Sequence, residues 1–473
     1  LSFITSLKHS SNYTAAYPLH PHLHLSCLKL FKVGQFSTFS ATMSSPQCAI
    51  LLLFTLSLSC LPFNDSFRPK ALVIPVTKDP STNQHVIEIQ QRTPLVPVKT
   101  SLDLGGPFLW VNCANYKSST WKPVRCRSAQ CNLARSKSCV TECFSPPRPG
   151  CTNNTCGLNI DNRWINTATG GSLGQDTVEM QSRNGQSAGR NVSAPNILFG
   201  CGESPVLPGL AMGSTGIAGF GRNKVSFPSL LSSAFSFPKK FAICLSSRQG
   251  VIFLGGGPYK LGFPEIDFKQ DQGIPLILNP VSTASAFFTG DPSTDYFIDV
   301  KGIRVNGNGV SLNSTLLRID GKGNGGTMLS TVVPYTVMES SIYSAVVNAF
   351  AAALSKVPVV RGVAPFTMCL NSTFLGVTRV GFGVPAIELV LPNGRSWSMF
   401  GMHSLKSVAD DVACLAIVDG GKETRTSIVI GSYQMEDSLL EFDLAQSKLR
   451  YSIGLPFIRG TCSSFNFTAN LQV

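Results

Sequence analysis

The sequence predicts an all-β fold built as two similar halves, and three observations carry that expectation. Short apolar, β-branched runs separated by turn residues recur along the chain: LVIPV (72–76), HVIEI (85–89), FLWVN (108–112), NILFG (196–200), GVIFLGG (250–256), YFIDVKGIRV (296–305) and SIVIG (427–431). The composition suits strands and turns, with 42 Gly and 30 Pro in 473 residues and only 14% charged residues. A pattern also repeats: a small-residue turn inside an apolar strand, TSLDLGGPFLW (100–110) and GGTMLSTVVPYT (325–336), is followed downstream by an apolar-apolar-Gly turn, GIAGFG (216–221) and IVIGSY (428–433).

The segments that do not belong to that pattern come first. Residues 1–42 contain no Met and lead into Met43, and Ala49–Leu61 is a nearly unbroken apolar run too short to span a bilayer comfortably. A buried strand could share that composition, but this position near the start reads as a signal-peptide core. Residues 1–66 are therefore expected to be leader, 67–270 the first lobe and 271–473 the second. Downstream of the leader no apolar run approaches the length of a membrane span. Helices are expected only at 225–235 (VSFPSLLSSAF) and 340–354 (SSIYSAVVNAFAAAL), where apolar residues recur at helical spacing.

Removing Cys27, Cys48 and Cys60 with the leader leaves twelve cysteines: Cys113, Cys126, Cys131, Cys139, Cys143, Cys151, Cys156, Cys201, Cys244, Cys369, Cys414 and Cys462. Seven crowd into residues 113–156 without a His among them, at spacings too irregular for a zinc site, so a disulfide framework in an oxidising, extracellular compartment is the expectation. Sequons at Asn153, Asn191, Asn313, Asn371 and Asn466 suit the same compartment. The net charge is +13, and +9 once the first 70 residues are set aside. Basic residues are dispersed, without the clustered runs and interleaved aromatics of nucleic-acid binders, so a wall polysaccharide or an acidic protein suits the charge better as a partner. GKGNGG (321–326) lacks the Lys-Ser/Thr ending of a phosphate loop and reads as a hairpin turn; no cofactor is implied.

Five strings in order, LDLGGPFLWVNC, FGCG (199–202), GIAGFGRNKVSFPSLL (216–231), FAICL with GVIFLGG, and IVIGSYQMEDSLLEFDLAQSKLRYS (428–452), resemble the pepsin-like aspartic proteases of the plant, nepenthesin-like branch. The resemblance spans residues 71–455 and implies a bilobal pepsin-like fold. Active members place two Asp-Thr/Ser-Gly turns face to face, one carboxylate ionised to activate water and the other protonated. Here Asp103 keeps the first aspartate, but Leu104 replaces the bracing Thr and Ser330 stands at the second aspartate, with Val332 at its glycine. The nearest carboxyls, Asp320 and Glu339, lie ten and nine residues away, and no Tyr occurs between Tyr116 and Tyr259, where the flap Tyr belongs; the flap-like stretch is 166–178. Asp103 and Ser330 are read as vestigial, with Asp103 serving a structural turn. Ser330 has no nearby His, since the two mature histidines, His85 and His403, lie in separate lobes.

The one-Asp pattern, the STV-x-PYT string and the ending CSSFNFT (462–468) are most similar to the non-peptidase group of extracellular dermal glycoproteins, basic 7S globulins and cereal xylanase inhibitors. That likeness implies a secreted inhibitor of microbial glycoside hydrolases of family 11 or 12, or else a storage or peptide-binding protein, with a residual aspartic peptidase as the remote third reading. The implied inhibitory element is a second-lobe loop, here 393–404, whose candidates are Arg395, Trp397, Ser398 and His403. A cation from it would enter between the two carboxylates of a glycosidase. Ser398 departs from the dermal-glycoprotein type, where an Arg follows the loop Trp. Cys369–Cys414 and Cys244–Cys462 are the expected disulfides outside the first lobe, whose eight other cysteines pair among themselves.

Overall fold

Residues 67–468, apart from 186 and 264, are described in a computed structural model; the leader and the signal-peptide expectation lie outside them. The residues from Phe67 onward form one compact unit. Among the described residues, twenty strands link into one continuous hydrogen-bonded sheet, joined by two four-stranded sheets and a two-stranded one.

Each half builds its turn in the same way. Strand Val96–Asp103 runs parallel to Gly216–Gly219, with Gly219 opposite Asp103. The next strand, Trp110–Asn112, lies antiparallel to Gly216–Gly219 and parallel to the end of Ser187–Gly202. In the second half Thr327–Leu329 runs parallel to Ile428–Ile430, while Thr336–Met338 lies antiparallel to Ile428–Ile430 and parallel to Ile417–Asp419. The duplication read from the two small-residue turns is thus a repeat of four strands with identical relations. Gly219 and Gly431 permit the crossing: a Cβ at Gly219 would sit 2.4 Å from the Phe108 carbonyl oxygen, and one at Gly431 would sit 2.4 Å from the Tyr335 carbonyl carbon.

The halves share backbone as well. Lys240–Cys244 pairs antiparallel with Leu439–Asp443, which pairs with Lys448–Ser452, which in turn pairs with Ile274–Ile277. Over this ladder Phe241 stacks on Phe442 and Tyr296 packs at an angle against both, with ring centroids 4.5–6.1 Å apart. The predicted helices form at Phe227–Phe235, where Pro228 fits the first turn, and at Ser340–Ala353, where Glu339 caps the amides of Ser341 and Ile342.

Two local expectations change. YFIDVKGIRV is two strands, Tyr296–Ile298 and Gly302–Val305, because the chain leaves one sheet for another. The 321–326 turn is not a hairpin: it follows a short helical turn, Ser314–Leu317, and is closed by Asp320, whose carboxylate accepts from the amides of Lys322 and Asn324.

All twelve cysteines of the described residues are paired: 113–201, 126–139, 131–156, 143–151, 244–462 and 369–414. Asn153, Asn191, Asn313 and Asn466 are exposed and Asn371 is half-buried. No described helix is long and apolar enough to cross a membrane.

Candidate functional site

The first turn begins where Val96–Asp103 ends. Asp103 is buried, and its Oδ1 accepts from the Gly105 amide at 3.0 Å, a local turn closure that Asp makes readily. In the second turn the buried Ser330 donates its amide to the Ile430 carbonyl (3.0 Å), and its hydroxyl accepts from the Val332 amide (3.1 Å). Thr331, beside it, joins the two turns. Its hydroxyl donates to the Leu102 carbonyl (2.7 Å) and accepts from the Leu104 amide (2.9 Å). Half of the reciprocal brace therefore survives, supplied by the second half, and Leu104 has no hydroxyl with which to return it.

Residues 163–166 form the tip of a hairpin between Thr155–Asn162 and Thr167–Asn184; the 166–178 stretch expected as flap is mostly its outgoing strand. Arg163 turns inward from this tip. Its Nε donates to Asp103 Oδ2 at 2.9 Å, its second terminal nitrogen donates to Asp103 Oδ1, and its first donates to Asp295 Oδ1 at 2.7 Å. Asp295 also accepts from the hydroxyls of Thr283 and Ser293. Burial would draw the Arg163 pKa down, but Asp103 and Asp295 more than reverse this and hold it above its ordinary range. Gly105 makes room for the cluster, since a Cβ there would lie 1.6 Å from Asp295 Oδ1.

A third carboxylate, Asp161, lines with Asp103, Phe108 and Trp110 a cavity of about 10 Å³, enough for about one water. Burial raises the Asp161 pKa and the Asp103 charge adds to the rise, against the Ser285 and Arg163 contacts. What stands here is an ion cluster, with both oxygens of Asp103 engaged by a guanidinium and a hydroxyl at the partner position. Sequence reasoning missed Arg163 and Asp295. A lone Arg at the hairpin tip was the only available signal for the first, and Asp295 gave none.

The 393–404 loop divides. Strand alternation sends Trp397 and Met399 inward, fully buried, and leaves Ser396 and Ser398 half-exposed opposite Ile387–Val390. His403 is also fully buried; its Nε2 lies 3.0 Å from the Glu436 carbonyl, and burial draws its pKa down to about 4. Trp397 and His403 are therefore core residues, which corrects their assignment to a partner-facing surface. Arg395 is half-exposed, paired with Asp271 at 2.6 and 3.2 Å and lying over the Tyr451 ring at 4.8 Å. Hydrogen bonding to Asp271 raises its pKa.

Comparison with known proteins places this architecture. A family described as xylanase inhibitor N-terminal matches residues 85–256, and one described as xylanase inhibitor C-terminal matches 295–453. The chain belongs to this xylanase-inhibitor family. Among its relatives, a protein named probable aspartic proteinase GIP2, from Nicotiana benthamiana, is 53% identical over 411 residues, covering 85% of this chain and 93% of that one. Gamma conglutin 1 of Prunus dulcis is 40% identical over 432 residues, covering 88% and 96%. The crystal structure of the protein called edgp superposes with a TM-score of 0.84 at 48% identity, covering 86% of this chain and all of that one. The soybean basic 7S globulin structure gives 0.70 at 32%, covering 84% and 98%.

Proposed function

We propose that this protein is secreted, has no peptidase activity, and inhibits microbial glycoside hydrolases that degrade plant cell walls, of the xylanase or xyloglucan-specific endoglucanase type. The observation that carries the first part is the guanidinium of Arg163 on Asp103. Peptide hydrolysis on this scaffold needs one free carboxylate to activate water and a second carboxyl to polarise the carbonyl. Asp103 is occupied, and Ser330 offers a hydroxyl that does not ionise at ordinary pH. A scaffold retained without its chemistry, in a family described by xylanase inhibition, supports the inhibitor reading.

Glycosidase clefts carry two acidic residues, which attract a cationic protein and can accept one inserted cation. Arg395 is the candidate. A partly exposed ion pair such as Arg395–Asp271 contributes about 0–1 kcal/mol, so exchanging Asp271 for a partner's carboxylate costs little. Exposed Phe374 lies just before, and exposed Val377 in the first strand of, the hairpin that packs against Gly401–Ser404, and they would supply apolar contact near the loop.

Calorimetry against a panel of fungal family 11 and 12 enzymes tests this: binding to at least one is expected, weakened in Arg395→Ala. If none binds at micromolar concentration, the storage or peptide-binding reading replaces it. The likeness to gamma conglutin and basic 7S globulin favours that second reading.

A further inference from the structure

Two cavities open side by side on the described surface and share Arg135 and Asn223 in their walls. One has a volume of about 390 Å³ and the other about 130 Å³. Together they form a groove whose two ends differ in chemistry. The larger end carries Lys224 and Lys239, with Arg135 at the junction. All three are exposed, and none is ion-paired among the described residues. The carboxylates that line the groove are already answered: Asp443 by Lys240 and Arg450, and Asp291 by Lys137. The groove therefore presents uncompensated positive charge at several separated points.

The smaller end is rimmed by Phe287 and Phe288, exposed by 42% and 41%. The floor of the larger cavity mixes Asn223, shared with the smaller one, and the hydroxyls of Ser229 and Ser233, which donate to the Asn223 and Ser229 carbonyls and can still accept, with Leu230 and Leu444. The larger cavity, at about 390 Å³, is by itself of ligand-binding size, and the smaller adjoins it at Arg135 and Asn223.

We propose that this groove binds an acidic oligosaccharide, a chain of linked uronic acid residues of the kind found in plant walls. Repeated carboxylates along such a chain would meet Lys224, Lys239 and Arg135 in turn. Its hydroxyls match the Asn223 amide and the acceptor lone pairs of the serines, and its rings would pack beside Phe287 and Phe288, over which Arg425 and Lys137 lie at 5.6 and 5.0 Å. An acidic peptide fits less well, because it offers carboxylates but neither the repeated hydroxyls nor the ring faces that a sugar chain brings to the groove. This groove is walled by the helix Phe227–Phe235, by loops and by residues of the strands Ser138–Val140, Thr155–Asn162, Ile274–Ile277, Tyr296–Ile298 and Leu439–Asp443. The mature charge of +9 would concentrate such polyanions at the surface but would not by itself choose this site.

The test is calorimetry of the whole mature protein with short oligogalacturonates, neutral cello-oligosaccharides and an oligoglutamate of matched charge. Saturable binding of the oligogalacturonates at one site per chain is expected, with the other two at least about tenfold weaker. The double substitution Lys224→Glu/Lys239→Glu should weaken binding by about tenfold or more, and Phe288→Ala by a few-fold. Lys356→Glu, an exposed lysine that lines neither cavity, should leave it unchanged. Absent or non-saturable binding, an equal loss in Lys356→Glu, no loss in the double variant, or equal affinity for oligoglutamate would each overturn the proposal. These surface substitutions should leave the unfolding midpoint unchanged, so a loss of binding reports on the groove. Inhibition of a glycosidase through Arg395 neither requires nor excludes this site, so the two readings fail separately.

Discussion

Replacing Arg163 by Met should cost more stability than any other single change at the vestigial cleft. The Asp103 and Asp295 side chains are 4% and 1% exposed, and the guanidinium gives three hydrogen bonds to them. Methionine fills much of the same space but leaves two buried charges facing each other without a cation. Breaking a buried ion pair by removing one partner costs about 3–5 kcal/mol. Asp295 keeps the Thr283 and Ser293 hydroxyls and Asp103 keeps the Gly105 amide, so we expect about 4 kcal/mol rather than twice the single-pair figure. Adding Asp103→Asn and Asp295→Asn to Arg163→Met removes the stranded charges and should recover most of the loss, since neutral replacement of a whole buried pair is often close to neutral. Equilibrium urea unfolding of the wild type, the single variant, the double-Asn variant and the triple variant closes the cycle. An effect of Arg163→Met below about 0.5 kcal/mol, or no recovery in the triple variant, would show that the cluster does not hold the hairpin to the second half of the chain.

Three further outcomes follow from the same geometry. Ser330→Asp alone should yield no peptidase activity on acid-denatured protein substrate, because Arg163 still occupies Asp103; efficient turnover would contradict this. Thr331→Val strands the buried Leu102 carbonyl and Leu104 amide and should cost about 2–4 kcal/mol by denaturant midpoint, against near-neutrality if the turns are held otherwise. Burial of His85, with the Lys78 charge adding to it, draws its pKa down to about 3, and burial draws His403 down to about 4. Both fold neutral, while the unfolded chain binds their protons below about pH 6.5. Stability is therefore full above that pH and falls as pH drops, by about 2 kcal/mol for each histidine at pH 5. Glu436, raised by burial, runs the opposite way, so the readout is the difference between wild type and His85→Leu, whose acid limb should be shallower.

The duplicated turns were legible because their glycines and small residues are demanded by close backbone crossings that little else satisfies. The disulfide framework was legible from parity and crowding, and the two helices from their spacing. The loop candidates failed in a specific way: strand alternation decides which of Trp397 and Ser398 faces out, and the phase of that alternation is set by the partner strand Ile387–Val390, distant from any local signal. His403 lies on a short helical turn that covers Glu436, from another part of the chain. The Arg163–Asp103–Asp295 cluster joins residues 60 and 132 positions apart, so no local pattern announces it.

The disulfide between Cys244 and Cys462 spans 218 residues and sits where Lys240–Cys244 lies against Leu439–Asp443, so the last part of the chain is stitched to a strand of the first half both covalently and by a backbone ladder. Peptide-bond scission in any exposed loop between those two cysteines would divide the polypeptide into two pieces that still migrate as one species on a gel until a thiol is added. If the protein is secreted, as proposed, it would thus stay in one piece after being nicked by proteases it meets there. Its apparent subunit composition would then record the history of its surroundings rather than a difference in its gene.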